Sequence, residues 1–267
     1  MKQLIKNKVT ICIVNYKTEE LIRLCLRSIR KYTKYPYEVI VVDNNSEDSS
    51  LDYLRTIPWI KLIERPGVEL SGSMAQGTAL DLGLQRCNTE FFIGMHTDTF
   101  VHKKDWLDWL VNEIKRKKNT ACAGSGKLDL KPRWQVLLKK YTDYKKWMRE
   151  LKSDNPDKKK FYIRAICAIY NTEILLKENL TFSMEVKNGM TCAQEMYVQM
   201  VKRGFNTNAI SDFKMSEYVY HLAHATMVLN PEFKVRDKTD RNCKKKMEKI
   251  FNTKEVQDVM KDCSLDK

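Results

Sequence analysis

Short β-branched runs alternate with helix-length amphipathic stretches along the first half of this chain, and that alternation constrains its fold more than any other feature. Residues 9–15 (VTICIVN) form an apolar run that ends in polar residues, as a buried strand does. Over residues 18–32, Leu21, Leu24, Cys25, Ser28 and Ile29 recur at helical spacing, with Thr18 placed to cap the start. The same reading predicts strands over 37–42, 59–63 and 90–95, a helix over 46–54 capped by Ser46, and a helix over 72–87. Repetition of this kind implies an α/β fold with a parallel sheet covered by helices.

The second half is less regular. Helices are expected over 106–116 and 192–203, the latter stopped by Gly204, with strands over 120–125, 161–170 and 217–220. Residues 133–151 carry Trp134, Leu137, Leu138, Tyr141, Tyr144, Trp147 and Met148 at helical spacing, with Lys139, Lys140, Lys145, Lys146 and Arg149 among them. The SDNPDKKK stretch at 153–160 reads as an exposed loop. Residues 233–263 predict a mostly helical, charged appendage.

A length of 267 residues can bury a substantial core. The longest apolar runs are strand-sized, far below the ~20 residues of a membrane-spanning helix. A β-like run that begins by Val9 leaves little room for a signal peptide. The eight cysteines form no C-x-x-C pair and several lie within apolar runs, so buried free thiols are expected rather than disulfides or a zinc site. The net charge of +14 asks for a phosphate-rich substrate, an anionic membrane or nucleic acid as partner.

In open parallel sheets, ligands bind beyond the carboxyl ends of the strands. Here those ends carry Asn15-Tyr16-Lys17, Asp43-Asn44-Asn45-Ser46, Arg65-Pro66-Gly67 and His96-Thr97-Asp98-Thr99. Polar and acidic groups thus converge on one rim, although Asp43 and Asn45 taken singly suit the capping of a turn or helix equally well.

These segments carry a resemblance. VTICIVNYKTEELIRLCLRSI followed by YEVIVVDNNSED, then TEFFIGMHTDT, then AQEMYVQMVKRGF, resembles in order and spacing the family 2 glycosyltransferases of the GT-A fold, over residues 9–210. The resemblance implies a mostly parallel, Rossmann-like central sheet flanked by helices, with a GT-A domain over 1–230 and a helical C-terminal extension over 231–267. Residues 1–126 would form the nucleotide-sugar half and 127–230 the acceptor half. It implies transfer of a sugar from a nucleotide diphosphate donor, UDP foremost, to a saccharide or lipid-linked acceptor, with inversion. A divalent metal, Mn or Mg, would sit on Asp98 at the D-x-D position. Asp43 would accept from the base edge, Asn15 would line the base pocket with the adjacent backbone, and Asn45 and Arg65 would contribute to the nucleotide site.

Two departures from the family pattern matter. His96 stands where the first D-x-D acid is usual, and a neutral imidazole ligates Mn, Fe, Co or Zn better than Mg. Gln194-Glu195 stands where an acid followed by Asp is usual. Glu195 then becomes the general base that an inverting transfer needs, with Glu185 as a weaker candidate and a dipole-stabilised helix-start acid as the bland reading. By similarity a late histidine, His221 ahead of His224, would complete the metal ligands.

Rival classes fit less well. The nucleotide-binding G-x-G-x-x-G of dehydrogenases and methyltransferases is absent after the first strand, as is the Gly-rich basic loop of a nucleotidylyltransferase. Nucleic-acid binding has charge and aromatics in its favour but no recognition motif. A protein of the same fold that binds sugar nucleotide without turnover is the closest rival, because of His96 and Gln194. A cytoplasmic location is expected, with peripheral association at an anionic inner membrane face.

Overall fold

The computed structural model describes residues 3–69, 72–126, 128, 162–184 and 190–267. The helix expected over 133–151, the loop at 153–160 and Glu185 lie outside them. In chain order the strands are β1 (Ile5–Asn15), β2 (Tyr37–Asp43), β3 (Ile60–Glu64), β4 (Thr89–His96), β5 (Thr99–Val101), β6 (Thr120–Gly124), β7 (Cys167–Asn171), β8 (Asn206–Ala209) and β9 (Val219–His221). The helices are α1 (Glu19–Tyr32), α2 (Ser49–Arg55), α3 (Gly72–Arg86), α4 (Trp106–Lys115), α5 (Thr172–Lys177), α6 (Cys192–Lys202), α7 (Asp212–Met215), α8 (Ala225–Leu229), α9 (Asp237–Phe251) and α10 (Lys254–Lys261).

The main sheet has seven strands in the order β3-β2-β1-β4-β7-β6-β8. All of them run parallel except β7, which is antiparallel to both β4 and β6. The chain steps outward from β1 through β2 to β3, then crosses back to lay β4 on the other side of β1. That reversal opens a crevice at the carboxyl ends of β1 and β4, where sheets of this kind bind ligands. A mostly parallel sheet flanked by helices is thus the fold class that the sequence predicts, with the reversed β7 added. β5 and β9 form a separate antiparallel ribbon over this end.

Both faces of the sheet are covered, which explains the unbroken apolar runs. Ile11, Ile13, Val39 and Val41 pack toward α1, α2 and α4, while Cys12, Ile40 and Val42 pack toward α3, α5 and α6. A third cluster joins Leu21 and Leu24 of α1 to Leu222, Cys243, Val256 and Val259. The terminal helices are fastened there by the buried Arg27, whose guanidinium donates to both carboxylate oxygens of Asp266, at 2.8 Å from Nε to Oδ1. None of the eight cysteines is in a disulfide, and seven are buried. No helix among the described residues is long and apolar enough to cross a membrane.

Local departures from the sequence reading have identifiable causes. Ser46 does not cap α2; its N–H and hydroxyl both turn back to Asp43, and Asp48 caps the helix by accepting from Ser50 N. Thr18 stands at the α1 N-cap, but its hydroxyl donates to Asn15 Oδ1 instead of capping. The strand expected over 161–170 shortens to Cys167–Asn171 because the chain turns at 165–166, where the Ile166 carbonyl accepts from His96 N. The expected stop at Gly204 is present: its φ of +81° is one that a glycine adopts without strain.

Gly77 of α3 lies against the backbone of Phe182 and Ser183, where an added Cβ would overlap the Phe182 carbonyl. The same segment is clamped by Asp81, whose carboxylate accepts from Phe182 N at 2.6 Å and from Ser183 N at 3.0 Å. Backbone held in this way cannot move aside. Gly77→Ala is therefore expected to cost about 1–3 kcal/mol in urea unfolding, and an unchanged midpoint would show that α3 can shift freely.

Candidate active site

Strand register assembles the rim. Asn15 pairs with Asp43 across β1 and β2, Asp43 pairs with Glu64 across β2 and β3, and Val14 pairs with His96 across β1 and β4. Polar residues distant in sequence therefore end side by side.

One group of them forms a closed hydrogen-bond network. The Asn15 amide donates to Asp43 Oδ1 at 2.7 Å, Ser50 Oγ at 2.9 Å and Ser46 Oγ at 3.2 Å, and its own oxygen accepts from Thr18. Asp43 also accepts from Ser46 through N at 2.9 Å and Oγ at 2.6 Å. Asn15 and Asp43 are buried. The Asn15 side chain is thus committed to shaping the loops after β1 and β2. Asp43 Oδ2 accepts only from Ser46 N among the described residues, which leaves it capacity for a further donor.

Asn45 adopts a left-handed backbone (φ +60°) and accepts from Gly67 N at 3.0 Å, tying the loop after β2 to the loop after β3. Arg65 donates to Asn44 Oδ1 at 2.6 Å, Thr78 Oγ at 3.1 Å and the Ala75 carbonyl at 3.3 Å. It pairs with no carboxylate among the described residues, and it fixes the first turn of α3 against the rim.

The second group lies at the β1–β4 crevice. Asp98 lies in the turn between β4 and β5, and the β5–β9 ribbon sets Thr99 opposite His221. Leu222 N donates to the Asp98 carbonyl at 2.9 Å, which closes the ribbon. His221 Nε2 consequently stands 3.3 Å from Asp98 Oδ1, and His96 Nδ1 stands 3.7 Å from the same oxygen. One ligand atom from each of His96, Asp98 and His221 fits within a mutual 4.8 Å. Asp98 and His221 are buried, whereas 32% of the His96 side chain meets solvent. His224, the other late histidine, starts α8 with a left-handed φ of +74° and is not one of the three.

Electrostatics at this cluster are polarised. Burial pushes the Asp98 carboxyl upward, but the imidazoles of His221 and His96 and the N–H of Ala225 outweigh it and bring the pKa down to about 2. Partial withdrawal from water holds the His96 imidazole below its usual pKa, against the pull of Asp98. A buried anion thus faces a neutral imidazole at ordinary pH. Among the described residues Asp98 Oδ1 accepts no hydrogen bond of ordinary geometry, although His221 Nε2 stands 3.3 Å from it.

Glu195 sits buried in the first turn of α6, after the Thr191 cap. Gln199 Nε2 donates to its Oε1 at 2.8 Å, while the buried Oε2 has no partner among the described residues. The start of α6 rests on the start of α3, where Cys192 N donates to Ser73 Oγ at 2.9 Å.

Two contributors escape sequence reading. Gln76 of α3 places its amide nitrogen 2.5 Å from His96 Nε2, and the Leu128 carbonyl lies 2.6 Å from His221 Nδ1. Neither a lone glutamine in a helix nor a backbone carbonyl leaves a motif.

Comparison with known proteins bears on the family and the fold. Residues 10–177, more than half of the chain, match the model of glycosyl transferase family 2. EpsH of Bacillus subtilis (strain 168), provisionally named a glycosyltransferase, is 28% identical over 100 residues, which are 38% of this chain and 27% of EpsH. The chain therefore matches well under half of that relative. The mannosyltransferase PcManGT from Pyrobaculum calidifontis, solved with GDP-Man and Mn2+, superposes with a TM-score of 0.54 at 18% identity, over 80% of this chain and 57% of that one. Residues 1–349 of S. aureus TarS give 0.54 at 17% identity in complex with UDP, over 92% of this chain and 72% of that one. The same TarS region with UDP-GlcNAc gives 0.53 at 16% identity, over 95% and 70%. At such identities the structures speak for a shared fold, and the family match carries the assignment: the chain belongs to glycosyl transferase family 2.

Proposed function

We infer that the chain moves a glycosyl group from a nucleoside diphosphate sugar, UDP-linked foremost, onto a hydroxyl of a saccharide or lipid-linked acceptor, with inversion. The observation that carries this reading is the buried, unsatisfied Asp98 Oδ1 facing two imidazoles at the sheet's crevice. A carboxylate and two neutral nitrogens are the donor set of a borderline divalent cation, so the residues fit Mn better than Mg. Asp98, His96 and His221 would hold that metal, whose chemistry when bound is to neutralise charge developing on the departing diphosphate. GDP-Man with Mn2+ in PcManGT, and UDP and UDP-GlcNAc in TarS, support a nucleotide-sugar donor for this chain as well.

Placement supports the remaining roles. Asp43 Oδ2 is positioned to accept an N–H from the base edge, and the Asn15 network holds the surrounding loop. Asn45 and Arg65 bind the rim loops together and give the nucleotide pocket its shape. Glu195 would take the acceptor's proton: its Oε1 is oriented by Gln199, while Oε2, stripped of water, is a strong hydrogen-bond acceptor. Residues 1–126 then serve the donor and 127–230 the acceptor, with 231–267 as an extension.

That extension also supports peripheral association with an anionic membrane from the cytoplasmic side. In α9, Cys243, Met247 and Ile250 join the third apolar cluster, while Lys238, Arg241, Lys245 and Lys249 are exposed at successive helical spacing. The exposed Met227 and Leu229 belong to the adjoining α8. Each cation near an anionic bilayer contributes about 1 kcal/mol, so the stripe should bind vesicles clearly. Flotation with anionic vesicles is expected at low salt, and it should vanish when Lys238, Arg241, Lys245 and Lys249 are changed to Glu. Unaltered flotation of that variant, or none by the native chain, would remove the membrane from the account.

Two variants test the chemistry. Asp98→Ala is expected to fold normally yet lose both turnover and metal-dependent nucleotide binding, measured by calorimetry with and without Mn2+; retained turnover would refute the metal reading. Glu195→Gln should keep donor binding and lower the chemical rate by about 10²-fold or more. A native chain that binds the donor but transfers nothing to any acceptor would favour a silent binding protein.

A further inference from the structure

His96 and His221 face Asp98 with different ring nitrogens, and in each the outer nitrogen determines what the inner one offers. The outer nitrogen of His221 is Nδ1, 2.6 Å from the Leu128 carbonyl. A carbonyl only accepts, so Nδ1 carries a proton, and Nε2 stands 3.3 Å from Asp98 Oδ1.

The outer nitrogen of His96 is Nε2, and its partner is the Gln76 amide at 2.5 Å. A primary amide has a donor end and an acceptor end, and a half-turn about its last bond exchanges them without moving the helix. With the nitrogen inward, as in this structure, Nε2 accepts and the ring proton stands on Nδ1, 3.7 Å from Asp98 Oδ1. With the oxygen inward, Nε2 donates and the Nδ1 lone pair faces Asp98 and His221. The helix that carries Gln76 is held on both sides of it: Arg65 donates to the Ala75 carbonyl, Ser73 accepts from Cys192 N, and Gly77 abuts Phe182.

We propose that Gln76 is a positioning residue that sets the tautomer of His96, holding Nδ1–H toward Asp98 without metal and, after a half-turn, presenting Nδ1 as a third ligand to a divalent cation. The proposal rests on the metal reading given above. It makes the nitrogen-rich character of the site depend on a side chain outside the three candidate ligands. Outer partners of this kind orient an imidazole and change metal affinity by about 10–100-fold when lost.

The test uses the full chain with Mn2+ or Co2+ alone, in the absence of nucleotide. Affinity is read by calorimetry and the ligand field by the visible absorption of bound Co2+. Gln76→Leu, which offers no hydrogen bond, is expected to weaken binding of both ions by about 10–100-fold and to alter the Co2+ spectrum. Gln76→Glu only accepts, so it should lock the ligating tautomer and match or exceed the native affinity. That variant keeps the comparison meaningful if the Leu variant is less stable. Native-like affinity and spectrum in Gln76→Leu would overturn the proposal, as would equal weakening in Gln76→Glu. A native chain that binds neither ion would remove the metal reading itself, whereas a binding native chain with an indifferent Gln76→Leu removes only the role of Gln76.

Discussion

An ionised carboxylate buried without a full set of hydrogen bonds is the constraint around which this structure is arranged. Withdrawing such a charge from water costs several kcal/mol unless a partner compensates. Asp98 meets that cost with two imidazoles and the Ala225 N–H, while Oδ1 accepts no hydrogen bond of ordinary geometry among the described residues. Much of the fold keeps this group in place. The β1–β4 register brings His96 beside the crevice, the β5–β9 ribbon delivers His221, and the third apolar cluster holds Leu222 behind it.

Helix α3 connects that charge to the rest of the rim. Its first turns receive Arg65 on one side and the start of α6 on the other, with Gln76 between them touching His96. Glu195 is therefore linked to the histidine cluster through a few close contacts rather than through a long lever. The Asn15–Asp43–Ser46 network does the same for the loops after β1 and β2. The groups proposed to serve donor and acceptor are thus tied to the sheet and to α3.

Much of this was legible in the sequence because it follows from local pattern. Apolar runs such as VTICIVN announce strands buried on both faces, and the polar residues at their ends mark the rim. The His96–Asp98 pair was visible for the same reason, since both follow a single strand. What could not be read depends on contacts between distant segments. His221 was reached only through family resemblance, because its approach to Asp98 is created by a three-residue ribbon too short to leave a pattern. The reversal of β7 was equally silent, as apolar alternation carries no strand direction. Asp48 displaced Ser46 as the α2 cap because Asp43 offered Ser46 two better partners, a competition that appears only once the loop is closed.

The proposed function requires the Asp98 cluster to hold a divalent cation against the nucleotide's diphosphate. Anomalous diffraction from crystals grown with Mn2+ and UDP measures this directly. A manganese peak within coordination distance of Asp98, His96 Nδ1 and His221 Nε2, in contact with diphosphate oxygens, is the predicted result. A nucleotide bound in the crevice without such a peak, or manganese held elsewhere on the chain, would contradict it.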